Sequence, residues 1–396
     1  MDTTCESNSS SSYSRLTSDQ DNDSLSNQSQ QARQVHIPNA FNFKASHYLK
    51  ATSKHQQALC DKNLDYFSVF VGPAAGPRAF VSAGFERQLK QLLNSNKIVG
   101  TKWLVGGSTG ALRFMAFVSS LVTNRDLTAE LKEHYCQMYY KQGDTPAILQ
   151  SKMDQVYHTC APLEGIAEVL EHPTFKLAII VASVSPWFIG LPDIILRVVY
   201  AGFFLGNMIS PNILSFLCQR ICFYTGPDPP VFLNEGQGGS HGIRYCKLTS
   251  KNLHQVLRAT TAVPFIQERC EYIDGVGKGL FVDGALTDYY LNSHFTNPAL
   301  PALLLADSQD CKVYRTIFDC YLPLPRTVPE SMFENCSAIY PTSHFISELP
   351  ERRLPSMGDW FHKEYILDPE RRRNNWRRVF ELSEDHWPLV LENINY

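Results

Sequence analysis

An α/β fold around a mainly parallel sheet is what the sequence predicts, and two observations carry the prediction. Short apolar runs alternate with helical periods across residues 65–123, a rhythm that calls for parallel strands joined by helical crossovers. Within that stretch the residues V-G-G-S-T-G-A-L, containing Ser108, fall where a strand gives way to a helix, which is the setting of an exposed nucleophilic serine.

Residues 65–71 read D-Y-F-S-V-F-V, aromatic and β-branched like a buried strand. A small-residue turn, G-P-A-A-G-P at 72–77, leads into residues 78–93, where Phe80, Val81, Gly84, Leu89, Leu92 and Leu93 recur at helical spacing. Residues 97–105 supply the second strand through Trp103, Leu104 and Val105, and residues 111–122, free of Gly and Pro, the second helix. Residues 126–158 read as mostly helical with a break near 143–146, and residues 162–170 add a helix to the same layer.

From residue 175 to 224 the chain turns markedly apolar, with L-A-I-I-V-A beginning at Leu177. Three readings fit: a buried strand at 177–182 followed by core or lid helices, an interfacial element that docks on a membrane, or a membrane span. A span needs about 20 consecutive apolar residues, and Lys176, Pro186, Pro192, Asp193 and Arg197 interrupt this run.

Residues 226–242 form a Gly/Pro loop whose G-Q-G-G cluster lacks the strand-turn-helix setting of a nucleotide fingerprint. Residues 248–261 read as a helix with Leu253, Val256 and Leu257 on one face, and residues 272–282 as a hairpin whose second strand ends in Leu280-Phe281-Val282 and delivers Asp283. Residues 302–305 suit another strand. Residues 351–384 gather Arg352, Arg353, Arg371, Arg372, Arg373, Arg377 and Arg378 around Trp360, Phe361 and Trp376. That stretch is either a patch for anionic lipid headgroups or, because Glu364, Asp368, Glu370 and Glu381 are interspersed, a salt-bridged helical tail.

With 396 residues, 44% hydrophobic and 19% charged, the chain is an ordinary globular composition with room for a large core. A formal net charge of −3 and the lack of an aromatic-plus-basic recognition motif argue against nucleic acid. The 11 cysteines show no C-x-x-C spacing and read as reduced, buried thiols, while the 12 histidines include no H-E-x-x-H and no finger pairing, so no metal is expected. Residues 1–34 are dominated by Ser, Asn, Gln and Asp, with neither a basic start nor an apolar core. This excludes an ordinary secretory signal, favours disorder, and points to an intracellular, cytoplasmic protein with peripheral membrane association; a secretion address on a delivered effector also fits the tail. The expected layout is a disordered polar tail over 1–40, a catalytic domain over 60–310 that includes the apolar segment 175–224, and a helical C-terminal extension over 311–396.

A nucleophilic serine needs a tight turn, and Gly106, Gly107, Thr109 and Gly110 around Ser108 are small enough to allow one. Far downstream F-V-D-G-A presents Asp283 followed by Gly284 and Ala285. The order of these elements resembles the patatin-like phospholipases, lipid acyl hydrolases that use a Ser-Asp dyad, over about residues 65–290. G-G-S-T-G-A-L at 106–112 is similar to the family's nucleophile elbow, D-G-A at 283–285 to its dyad motif, R-A-T-T-A-V-P at 258–264 to the helix end before the dyad hairpin, and G-F-E-R-Q-L at 84–89 to the helix behind the oxyanion loop.

The resemblance implies a three-layer α/β/α fold and a Ser108 nucleophile activated by Asp283. It also implies an oxyanion loop formed by Ala75, Gly76 and Arg78, no cofactor, and a phospholipid or other acyl-ester substrate met at a membrane surface, with or without a protein activator. Arg78 would fix that loop or help hold phosphate; in a purely structural role it would be a surface arginine at a helix start. The loop departs from the family's Gly-Gly-Gly-x-Arg-Gly by reading Ala74-Ala75-Gly76-Pro77-Arg78-Ala79, which restricts φ and removes one N–H. Two rivals follow: a catalytically impaired lipid-binding or scaffold protein on the same fold, and a Ser-His-Asp α/β-hydrolase drawing on a late histidine, His344, His362 or His386.

Overall fold

The alternation read between residues 65 and 123 forms the middle of the sheet. The computed structural model describes residues 47–50, 53–61, 63–141, 143–234, 242–290, 295, 297–308, 314, 316–324, 326 and 333–392, so the polar tail over 1–40 lies outside the described residues. In chain order these are β1 (His47–Lys50), α1 (Ser53–Cys60), β2 (Val69–Gly72), α2 (Gly84–Asn94), β3 (Lys102–Gly107), α3 (Ser108–Thr123), α4 (Leu127–Gln137), α5 (Pro146–Cys160), α6 (Ile166–Leu170) and β4 (Phe175–Val184). There follow α7 (Asp193–Ile209), α8 (Leu214–Leu217), β5 (Cys218–Tyr224), β6 (Arg244–Lys247), α9 (Leu253–Thr260), β7 (Cys270–Ile273) and β8 (Gly277–Val282). The chain closes with β9 (Ala302–Leu305), β10 (Cys336–Pro341), α10 (Ser343–Glu348), α11 (Lys363–Leu367) and α12 (Pro369–Glu392).

The sheet runs β1-β10-β9-β2-β3-β4-β5-β6, with β8 also on β4 and β7 on β8. From β10 to β4 neighbouring strands are parallel, and the antiparallel pairings involve β1 with β10, β4 with β5, and the β7–β8 hairpin with β4. Successive residues point to opposite faces. Phe70, Leu104, Leu177, Ile179 and Leu303 join the core beneath α2, α3, α4, α5, α9 and α12, whereas Val69, Val71, Val105, Ala178, Ile180 and Leu304 face the other side. Both faces are buried, which explains the near-continuous apolar strand sequences. Helices lie on both sides, but unequally: the second face is covered by short 3-10 turns at Val231–Asn234 and Gly284–Leu286 and, past the end of β3, by α7.

Local chemistry sets several boundaries. The break between α4 and α5 follows from capping: the Asp126 side chain accepts from the Ala129 N–H, and Thr145 accepts from the Ile148 N–H just ahead of Pro146. Residues 78–93 are not one helix. A 3-10 turn, Gly76–Ser82, precedes α2, and Gly84 begins α2 against α12, where a Cβ would stand 2.4 Å from Trp387 Cβ and 2.6 Å from Ser383 O.

The boundary expected at residue 311 does not separate an extension. β10 lies inside the sheet, Trp376, Phe380 and Trp387 of α12 belong to the main core, and Phe41–Tyr396 forms one compact unit. The arginines of residues 351–384 are largely engaged within the fold: Arg353 pairs with Asp359, Arg371 with Glu351, Arg377 with Glu133, and buried Arg372 donates to the carbonyls of Cys136 and Met138. This is the salt-bridged helical alternative. The apolar segment 175–224 resolves into a buried strand, α7, α8 and a second strand, and no helix among the described residues is long and apolar enough to cross a membrane.

Candidate active site

One long strand brings the two motifs together. β3 runs beside β4 until Gly107 faces Ile180; past that point the same edge of β4 is taken by β8, running the opposite way, with Val282 facing Ala182. The ends of β3 and β8 therefore meet beside Val181, and the next residue on each is Ser108 and Asp283.

The elbow is as tight as the sequence suggests. Ser108 has φ +48°, a left-handed conformation that side-chain-bearing residues rarely adopt outside functional turns. A Cβ on Gly110 would stand 2.3 Å from Gly72 O and one on Gly106 2.8 Å from Gly110 C, so Gly110 lets the first turn of α3 touch β2 and Gly106 lets that turn fold back on β3. Gly107 differs: its φ is −120° and a Cβ there would meet nothing closer than 3.6 Å. Gly284 is needed in turn, because a Cβ would lie 2.7 Å from Ile180 O.

Ser108 Oγ donates to Asp283 Oδ2 at 2.7 Å, and the other carboxylate oxygen accepts the Ala285 N–H at 2.8 Å. Both residues are buried. Burial pushes the Asp283 carboxyl up from 3.8 to about 6, while the hydrogen bonds from the Ala285 N–H and the Ser108 hydroxyl pull the other way. Thr260, the last residue of α9, ties the elbow to the sheet: its Oγ1 accepts the Ser108 N–H at 2.9 Å and donates to Ile180 O at 2.6 Å. The Asp283 N–H donates to Ala262 O at 3.1 Å, so the 258–264 stretch braces both halves of the pair.

Ala74, Ala75, Gly76 and Arg78 line the same cavity as Ser108 and Asp283. Ala75 has φ −105°, comfortable for alanine; Gly76 alone in the turn has a left-handed φ, +54°, and a Cβ there would strike Met357 Sδ at 2.6 Å. The Arg78 N–H is committed to Ala75 O, and the amides of Ala75 and Gly76 make no backbone hydrogen bond among the described residues. Arg78 Nε donates to Pro355 O at 3.2 Å, fixing the turn to the C-terminal segment, and its charge counters the burial that pushes Asp307 up to about 6. Beneath the turn Arg113 of α3 holds both oxygens of Glu86 and the carbonyls of Ala79 and Ser82.

The cavity measures about 600 Å³. Its walls are largely apolar and aromatic, including Leu112, Tyr135, Tyr200, Phe265, Phe318 and Trp360. No family model and no curated protein matches the chain. The chemistry must therefore be read from the geometry. Among the described residues no histidine lines the cavity; His344 and His386 both engage Glu348, and His362 contacts the Tyr365 ring. No group of three His, Cys, Asp or Glu among the described residues is arranged to hold a metal ion.

Of the residues singled out in the sequence, Ala75, Gly76, Arg78, Ser108, Thr109, Asp283 and Ala285 line one cavity, Gly106, Gly110 and Gly284 allow close backbone contacts behind it, and Gly107 is a spacer rather than a steric necessity. Thr260 lies inside the R-A-T-T-A-V-P stretch, yet no local pattern reports what a buried hydroxyl will bond. Nor does any local pattern place Met357, or Trp360 of the arginine-rich stretch, in the cavity, which they reach from the far end of the chain.

Proposed function

We propose that the chain is a serine acyl-ester hydrolase of patatin-like, phospholipase type, acting on lipid substrates through a Ser108–Asp283 dyad and an acyl-enzyme. The observation that carries this reading is the 2.7 Å hydrogen bond from Ser108 Oγ to Asp283 Oδ2, made by a serine at φ +48° in an apolar cavity. A hydroxyl attacks an ester only if a base takes its proton in the transition state. Asp283 accepts that hydrogen already, and its raised pKa makes it a stronger base than an ordinary carboxylate.

Ser108 Oγ bonds to the acyl carbon, its proton passing to Asp283, and the ester carbonyl becomes an oxyanion. The amides of Ala75 and Gly76 are the donors for that charge, each worth about 3 kcal/mol in such a role, with the N-terminus of α3 adding a favourable field. Collapse expels the alcohol, protonated by Asp283, and leaves the acyl group on Ser108. Water, deprotonated by Asp283, then adds to the acyl carbon, and collapse breaks the bond to Ser108 Oγ, releasing the carboxylic acid as Asp283 returns the proton to Oγ. Pro77 sits in the first turn of the Gly76–Ser82 helix, where an N–H has no helical acceptor, so its presence does not weaken the turn. At about 30 Å³ for a water-sized group, the cavity has room for one long acyl chain.

The test is fatty-acid release from mixed phospholipid and neutral-lipid vesicles, and hydrolysis of a water-soluble short-chain ester, by the full chain and by Ser108→Ala. The reading expects both activities to fall by about 10³-fold or more, and to persist in His344→Ala, His362→Ala and His386→Ala. Equal turnover by Ser108→Ala would overturn it; collapse in one histidine variant would move the base to a triad.

A further inference from the structure

The outward face of α7 is unlike the rest of the surface. At about 100° per residue, Ile194, Val198, Leu205, Met208 and Ile209 fall within one stripe, each exposed, from 43% at Met208 to 81% at Ile209. Ile195, Ala201 and Gly202 complete it, so about 140° of helix surface carries no polar side chain. The charges that flank the stripe are occupied: Asp193 pairs with Arg269, and Arg197 stacks on Phe265 at 4.6 Å. A helix of a globular protein normally places its polar residues on this face, and a continuous apolar patch marks a docking surface. Trp187, 87% exposed, precedes the helix, and Phe216, 65% exposed, follows it on α8, as interfacial aromatics do.

A second observation identifies the partner. Beside Phe216 and Pro186 lies a separate pocket of about 240 Å³, lined by Ser183, Ser185, Gln219, Arg244 and Lys278. Both cations are exposed and neither joins an ion pair among the described residues. Arg244 also hydrogen-bonds the Cys246 side chain, and an Arg and a Lys outside any ion pair among the described residues, set with hydroxyls beside the exposed Phe216, suit a phosphate at the edge of hydrocarbon. The inner side of the same helix completes the argument: Tyr200 lines the Ser108 cavity, and Phe204 packs at 5.7 Å on Phe318, another of its walls.

We propose that α7, flanked by Trp187 and Phe216 and by the Arg244–Lys278 pocket, is the surface by which this protein docks on an anionic phospholipid leaflet. The helix lies flat in the interface and forms the wall between leaflet and cavity. Its 17 residues span about 25 Å, short of a bilayer's hydrocarbon core of about 30 Å. The proposal rests on the lipid-ester reading of the Ser108 site for its purpose, while its geometry is independent of catalysis.

The test is co-sedimentation of the full chain with vesicles of zwitterionic phospholipid, alone or with an anionic phospholipid added. Wild type, Ser108→Ala, the combined variant Ile194→Glu/Val198→Glu/Leu205→Glu, and Arg244→Glu/Lys278→Glu are compared. Wild type and Ser108→Ala bind alike; the α7 variant loses about tenfold or more on both vesicles; the charge variant loses only the increment due to anionic lipid. Hydrolysis of the water-soluble ester stays at the wild-type level in both surface variants, which also reports that they fold. Binding by the α7 variant equal to wild type would overturn the proposal, as would wild type left in the supernatant. A wild-type dimer in light scattering that the α7 variant abolishes, with no vesicle binding, would reassign the face to a second copy of the chain. Because binding is read in Ser108→Ala too, absent hydrolysis counts against the esterase reading alone.

Discussion

Gly107 and Val282 end two strands that meet head-on along the same edge of β4, facing Ile180 and Ala182 respectively. That relationship sets the distance between the nucleophile and its carboxylate: Ser108 and Asp283 are the first residues past the two ends and have nowhere to go but toward each other and the cavity.

The carboxylate has a pH signature. Asp283 must be ionised to act as base, so kcat/KM should rise with pH through about 6 and level above it, and Asp283→Asn should abolish the rise along with activity. Stability runs the other way. A carboxyl whose folded pKa lies above its unfolded value favours folding below the unfolded pKa, near 3.8, and loses that contribution as pH climbs through about 6. Asp283→Asn should therefore be the more stable protein at neutral pH, by up to about 3 kcal/mol, read as a higher Tm that converges with wild type in acid. A lower Tm at pH 8 would refute the buried-carboxylate account.

The two inner glycines of the elbow should behave oppositely. Gly110→Ala forces a Cβ to within 2.3 Å of the Gly72 carbonyl and should cost at least about 1–3 kcal/mol. Gly107→Ala meets only ordinary contacts at negative φ and should shift stability by less than about 1 kcal/mol. Urea unfolding of the pair checks the contrast.

Thr260 acts through Ser108 as a positioning residue. Thr260→Val leaves the Ser108 N–H and the Ile180 carbonyl without their partner in a buried setting, a cost of about 1–3 kcal/mol for each group. The elbow should loosen, lowering kcat with little change in KM, and Thr260→Ser should restore the rate. Equal kcat in the valine variant would show that the hydroxyl is only structural filler.

Arg113 joins the helix bearing Ser108 to the turn bearing Ala75 and Gly76. Arg113→Ala strands Glu86 in the core and should destabilise by about 3–5 kcal/mol. Arg113→Ala/Glu86→Leu removes the stranded charge and should recover much of that stability while the turn, without its anchors at Ala79 O and Ser82 O, stays impaired in catalysis. Thermal melts beside ester hydrolysis separate the two effects.

What the sequence determined by itself is local. The alternation of strand and helix, the glycines that let Ser108 turn at φ +48°, and the hairpin that presents Asp283 are each encoded within a few adjacent residues, because backbone sterics and side-chain periodicity act over that range. What only the tertiary structure decided depends on pairings far apart in the chain: the extra length of β4 that lets β3 and β8 share an edge, the Thr260 bridge, and the entry of β10, Met357 and Trp360 into a fold expected to end near residue 310. The fate of the apolar segment belongs there too. Its hydrophobicity was plain, but a strand buried on both faces and a helix with one bare face share the same composition, and only packing against Ala182, Val184, Leu280 and Val282 shows which side of α7 is left to the solvent.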